Sequence, residues 1–143
     1  MSAKDQLFYV GQKGLINKEG SVLIMHDPFL DLYDLPGGKI QEGEMDFAKS
    51  FLREIDEETR LKIKVGKLFT TTYFEFPKIK HYNSGKKIFL VVYECFYVSG
   101  EVTLDPREHD SYLWVTKDNY LNSVKPGTNI YDLLESYFSL SKV

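Results

Sequence analysis

Cysteine is almost absent. Cys95 is the single thiol in 143 residues, so no internal disulfide can form. It lies inside the apolar run Ile88–Val98 and reads as a core residue rather than a nucleophile. Histidine is scarce too. His26, His81 and His109 show no paired ligand spacing, so none of them reads as a metal ligand. Positive charge is not in excess: 18 Lys and Arg stand against 21 Asp and Glu, a net charge of -3. That balance excludes a broad basic footprint for long nucleic acid. No apolar run approaches membrane length, and the opening MSAKDQLFYV lacks a signal-peptide layout. The expected compartment is the cytoplasm, with no membrane partner. Aromatic residues, in contrast, are abundant, with ten Tyr and ten Phe, which favours strands. The length suits one domain, 1–143, with a substantial core.

The segment Gly37–Leu61, GGKIQEGEMDFAKSFLREIDEETRL, carries the strongest chemical signal. It holds Glu44, Glu54, Glu57 and Glu58, with Arg53 among them and a glycine turn in front. Glu54 stands one helical turn before both Glu57 and Glu58, so a helix would gather the three carboxylates on one face. Like charges at such spacings destabilise an isolated helix by a few tenths of a kcal/mol per pair. A hard, oxygen-ligated cation such as Mg²⁺ or Mn²⁺ relieves that repulsion. The stretch therefore reads as a metal site first and as a solvated helix face second.

Around it, Leu7–Ile16 reads as a strand, and Ser21–Met25 as its partner across the turn Asn17-Lys18-Glu19-Gly20. His26–Leu35 reads as a loop closing on Pro36-Gly37-Gly38. Asp46 is a suitable N-cap for a helix from Phe47 to about Thr59. At roughly 100° per residue, Ala48, Phe51, Leu52 and Ile55 form its apolar stripe, with Glu54, Glu57 and Glu58 beside them. Leu61–Val65 and Leu68–Phe76 read as two strands, and Pro77–Lys87 as a polar, basic loop. Ile88–Val98 is the strongest strand, and its apolar start predicts burial on both faces. Glu101–Leu104 and Tyr112–Val115 read as further strands, Lys117–Leu121 as a short helix. Thr128 caps a C-terminal helix over Asn129–Leu140, where Ile130, Leu133, Leu134, Tyr137 and Phe138 recur at helical spacing. A sheet with helices on either side is the simplest assembly.

The Gly37–Leu61 stretch resembles the signature of the Nudix hydrolases, the MutT-like family. That box runs as glycine, five residues, glutamate, seven residues, then Arg-Glu-apolar-any-Glu-Glu-any-Gly-apolar. Gly38 and Glu44 match its opening, and Arg53, Glu54, Ile55, Glu57, Glu58 and Leu61 match the remainder. The leading Leu35-Pro36-Gly37-Gly38 and the Glu108 that precedes Trp114-Val115 extend the likeness over most of the chain. Two departures stand out. Eight residues separate Glu44 from Arg53, the extra one falling most easily at Met45, and Arg60 replaces the terminal glycine. Arg60 must therefore take a left-handed conformation, at roughly 1 kcal/mol, or the helix must close differently.

The resemblance implies an α/β fold of the Nudix type, an α/β/α sandwich whose mixed central sheet is flanked by helices. It also implies hydrolysis of a pyrophosphate bond in a nucleoside diphosphate linked to another moiety. Nucleoside triphosphates (oxidised ones included), dinucleoside polyphosphates, ADP-ribose and nucleotide sugars are all open as substrates. Pro77, downstream of the box, inclines the choice toward ADP-ribose. Gly38, through its carbonyl, and Glu54, Glu57 and Glu58 would hold Mg²⁺ or Mn²⁺. Arg53 would pair with Glu44 to tie loop to helix. Glu54 or Glu108 would take the proton from the attacking water. The basic loop Lys78, Lys80, His81, Lys86 and Lys87 is a candidate for meeting phosphates. Phe29, Tyr33, Phe74, Phe76 and Tyr82 include candidates for stacking on a base. The alternative reading is a catalytically silent nucleotide-binding or regulatory module, motivated by the two departures. The expected partner is a small nucleotide, the assembly a monomer or homodimer.

Overall fold

The computed structural model describes residues 3–140. Its strands are β1 (Tyr9–Lys18), β2 (Ser21–Asp27), β3 (Leu32–Asp34), β4 (Gly37–Lys39), β5 (Lys62–Glu75), β6 (Lys87–Ser99) and β7 (Ser111–Val115). Its helices are α1 (Phe47–Thr59) and α2 (Asn129–Leu140), with a single 3₁₀ turn at Tyr120–Asn122. The seven strands form one sheet in the order β3-β2-β1-β6-β5, with β4 added to β1 and β7 to β2. β1 and β6 run parallel and the other pairs antiparallel, so the sheet is mixed.

The two-residue period of a strand explains the layering. Leu15, Val22 and Ile24 point to a core that includes Ile130, Leu134, Tyr137 and Phe138 of α2. Their chain neighbours Ile16, Leu23 and Met25 point the other way, onto Phe51 and Ile55 of α1. Both faces of the central strands are thereby covered by a helix, giving the α/β/α sandwich. At the β1–β2 turn, Glu19 and Gly20 both have positive φ, and the Gly20 amide donates to Asn17 Oδ1 at 3.0 Å. That is the geometry of a tight hairpin matched to strand twist.

α1 keeps the expected bounds. Asp46 caps it by accepting from the Lys49 amide, and Arg60 ends it in the left-handed region at φ 62°. Its inward face differs from the expected stripe. Ser50, Phe51, Ile55, Glu58 and Thr59 are buried, while Ala48 and Leu52 are exposed. The helix is rotated so that Glu58, rather than Leu52, faces the sheet. Thr128 caps α2 as expected, its hydroxyl accepting from the Tyr131 amide at 3.2 Å.

Other expectations are corrected. β5 is one strand where the sequence reads as two, because its pairing with β6 continues past an irregularity between Val65 and Thr70. β6 alternates instead of burying both faces: Ile88, Leu90 and Val92 are buried but Phe89 is exposed, leaning on Phe8. Two short strands, β3 and β4, occupy what reads as loop and glycine turn. Glu101–Leu104 is no strand. Thr103 makes one bond to the Thr59 carbonyl while Val102 and Leu104 pack against the α1 core. The short helix at Lys117–Leu121 shrinks to the 3₁₀ turn.

Phe51 is fully buried between α1 and the sheet, 5.1 Å from the Tyr93 ring. Phe51→Ala is expected to lower unfolding stability by about 3–5 kcal/mol in a denaturant titration. A loss under about 1 kcal/mol would contradict this packing role.

Candidate active site

The site is built where β4 meets the C-terminal half of α1. β4 pairs with β1 so that Gly37 lies opposite Lys13 and Gly38 opposite Gln12. Gly37 has φ 141°, and a Cβ there would lie 2.0 Å from the Gln12 carbonyl oxygen, so only glycine fits. Its amide donates to Glu58 Oε1 at 2.8 Å. At Gly38 a Cβ would sit 2.4 Å from the Glu54 carboxyl carbon: that carboxylate fills the space a side chain would need. The glycine bend is thus pressed directly against two carboxylates of α1.

Arg53 organises the exposed side. Its Nε and Nη2 donate to the two oxygens of Glu44 at 2.8 and 2.7 Å, a bidentate pair. Nη1 reaches Glu54 at 3.0 Å and Glu57 at 3.1 Å. Glu44 also accepts from the Ser50 hydroxyl and the Gln41 amide, which fastens the loop to the first turns of α1. Met45 is exposed in that loop, and α1 runs without interruption behind it. Hydrogen bonding to Arg53 holds the Glu44 carboxyl down at about 2, and the same contacts push the guanidinium up.

Inside, the electrostatics reverse. Glu58 is 7% exposed, and burial pushes its carboxyl up to about 8 despite the opposing pull of Lys13 and the Gly37 amide. Burial also raises Glu54, against Arg53. Single oxygens of Glu58 and Glu108 and a ring nitrogen of His109 lie within 4.8 Å of one another. His109 Nδ1 is 3.9 Å from Glu58 Oε2, too far for a hydrogen bond, and burial lowers its pKa. Lys13 pairs with Asp34 at 3.1 Å and donates to the Leu35 carbonyl at 3.2 Å. Burial alone would lower its pKa, but Asp34, Glu58 and Glu54 outweigh that and raise it.

These groups suit a hard divalent cation. Carboxylates crowded in a half-dry cluster resist ionising together, and a doubly positive ion in their midst would reverse that penalty. Of the residues singled out from sequence, the structure gathers Gly38, Glu54, Glu58 and Glu108 into one cluster. It sets Arg53 with Glu44 behind them. Glu57 lies at the rim, its side chain 56% exposed and paired with Arg53. Three contributors carry no mark in the sequence pattern. Lys13 and Gln12 lie in a strand without a motif. Gln12, 2% exposed, donates to the Phe47 carbonyl at 3.0 Å and accepts from the Tyr93 hydroxyl at 3.1 Å, pinning the start of α1 to β1. His109 has only its adjacency to Glu108 to mark it.

Comparison with known proteins shows the family. Residues 12–134 match the NUDIX domain family. An 8-oxo-dGTP diphosphatase of Buchnera aphidicola subsp. Schizaphis graminum is 31% identical over 112 residues, which cover 76% of this chain and 77% of the relative. The MutT protein from Methanosarcina mazei Go1 superposes with a TM-score of 0.77 at 24% identity, over 99% of this chain and 100% of that one. A C. elegans Ap4A hydrolase superposes with a TM-score of 0.69 at 17% identity, over 92% and 95%. The chain belongs to the Nudix family and is a MutT-like Nudix hydrolase.

The Glu44–Arg53 pair carries a pH signature. The Glu44 carboxyl ordinarily titrates near 4.5 and is held at about 2 in the fold. Its stabilising contribution is complete above pH 4.5 and is lost as pH falls from there through about 2. Glu44→Gln is expected to flatten that part of the urea-midpoint profile relative to the unsubstituted protein. Parallel profiles between pH 4.5 and 2 would contradict the assignment.

Proposed function

We propose that the chain is a Mg²⁺-dependent hydrolase, with Mn²⁺ able to substitute, that cleaves the pyrophosphate bond of a nucleoside diphosphate linked to another moiety. One observation carries the reading. The buried Glu58 carboxyl, pushed up to about 8, lies beside Glu108 and His109 and beneath the bend that contains Gly38. A carboxyl kept so dry, with no cationic side chain in hydrogen-bond contact among the described residues, is poorly explained as structural support.

The proposed ligands are the Gly38 carbonyl and the carboxylates of Glu54, Glu57 and Glu58. A divalent ion held there would draw charge from phosphate oxygens and make a nearby water more acidic. Arg53 and Glu44 act by position: the bidentate pair fixes the loop before α1, and the remaining guanidinium nitrogen steadies Glu54 and Glu57. Glu54 and Glu108 are the two candidates for accepting the proton of the attacking water. Burial raises the Glu54 carboxyl, with Arg53 opposing the shift. The similarity to an 8-oxo-dGTP diphosphatase supports a nucleotide as substrate.

The test is release of phosphate or pyrophosphate from nucleoside triphosphates, dinucleoside polyphosphates, ADP-ribose and nucleotide sugars, with and without Mg²⁺. Turnover should require the metal. Glu57→Gln and Glu58→Gln should each lower kcat/KM by about 10²-fold or more, with far-UV circular dichroism unchanged. Unaltered turnover in both variants would overturn the ligand assignment. Nucleotide binding with no metal-dependent release would instead mark a silent binding module.

A further inference from the structure

His26 stands outside the acidic cluster, yet it fastens the loop that brings Glu108 to it. The ring lies between two carboxylates, with Nδ1 2.7 Å from Asp110 Oδ1 and Nε2 2.9 Å from Asp31 Oδ1. An ionised carboxylate only accepts, so both contacts are hydrogen bonds only when the ring carries two N–H groups. In a neutral ring one nitrogen would turn a lone pair toward a carboxylate. His26 is therefore an imidazolium in this arrangement, and its bonds to Asp110 and then Asp31 push its pKa up. Among the described residues, the further groups beside the ring are Tyr33 of β3, edge-on at 5.2 Å, and Ser111 of β7, which pairs with His26 and donates to Asp110 Oδ1 at 3.3 Å.

Exposure separates the two arms of this bridge. The His26 side chain is 20% exposed, that of Asp110 51% and that of Asp31 89%. Solvent therefore screens the Asp31 contact more, and the Asp110 contact carries more of the hold. Asp110 also donates its amide to the His26 carbonyl at 3.3 Å. The loop before it is closed at its start, where the Glu108 and His109 amides both donate to the Asp105 carbonyl at 3.0 Å. Its end, where Asp110 leads into β7, is fastened to His26 by backbone and by side chain. Glu108 lies two residues upstream of that fastening, with a carboxylate oxygen within 4.8 Å of one from Glu58. Consecutive Cα atoms are about 3.8 Å apart, so a displacement of Asp110 is passed along a very short span to Glu108.

We propose that His26 is a positioning residue for the hydrolytic reaction: bridged between Asp31 and Asp110, it fixes the end of the loop that carries Glu108 and so sets that carboxylate against the acidic cluster. This rests on the hydrolase reading above. The bridge depends on pH. It is complete below about 6.5, the ring's ordinary value, and is lost as pH rises through the raised value in the fold.

The test measures kcat across pH for the unsubstituted chain and His26→Gln in Mg²⁺, on the nucleotide of the panel above that is turned over fastest. The unsubstituted chain should be about 10-fold faster below pH 6.5, with KM changed less than about 2-fold, and the advantage should shrink as the ring loses its proton. Equal rates throughout, or an advantage that stays flat with pH, would overturn the proposal. In a Glu108→Gln background, His26→Gln should cost less than about 2-fold, because a residue that acts through Glu108 has nothing left to position. A further loss of about 10-fold there would overturn it. A second readout needs no turnover. By NMR, the backbone amide signals of Glu108 and His109 should shift with the midpoint of the His26 ring. That step should vanish in His26→Gln and move to lower pH in Asp110→Asn, which removes the better shielded partner. Amide signals that show no step at the His26 midpoint would overturn the coupling. If no nucleotide is turned over, the hydrolase reading fails, and the amide titration still decides whether His26 holds the loop.

Discussion

The hydrogen bond from the Gly37 amide to the buried Glu58 carboxylate is the contact on which the site depends. It joins the glycine bend to the last turn of α1. Gly37 can make it only because its left-handed backbone passes against β1 where no side chain would fit. The same approach places Gly38 on the Glu54 carboxylate. One short strand thereby brings the glycine bend and two acidic side chains together. The strand itself is held by pairing with β1, which also carries Lys13 and Gln12.

The sandwich supplies the rigidity this contact needs. α1 is seated by Phe51 and Ile55 below and by Gln12 at its start. With the helix so seated, Glu58 is kept largely from water, and burial pushes its carboxyl up to about 8. Arg53 and Glu44 are partly exposed and are bound by a favourable bidentate ion pair. The two sides of α1 thus differ: one carries an ion-pair network around Arg53, the other a buried, crowded acidic cluster. Such a division is common where function requires a local departure from the most stable arrangement.

Much of this arrangement is legible in the order of the amino acids. The bounds of α1 and α2 follow from Asp46, Thr128 and the apolar spacing, since caps and periodicity are local signals. The Arg53–Glu44 pair and the Glu54–Glu58 cluster follow from a long, specific motif. Arg60 shows how a departure is absorbed: an arginine takes the left-handed turn that a glycine would take more easily. What the sequence hides is tertiary. Lys13 is one lysine in an unmarked strand, and its place near Glu58 exists only through β-pairing across the sheet. The rotation of α1, which buries Glu58 and exposes Leu52, depends on how the helix meets β4. The stacking of His81 on Phe76 and Tyr82 depends on how a loop closes, and no periodicity encodes that.

The account comes down to whether the buried acidic cleft holds a divalent ion. Titration of the metal-free protein with Mn²⁺, followed by loss of the free-ion electron paramagnetic resonance signal, asks this directly. Saturable binding that Mg²⁺ displaces, and that Glu58→Gln weakens at least about 10-fold, is the predicted result. A free-ion signal undiminished at every protein concentration, or identical binding by Glu58→Gln, would contradict it.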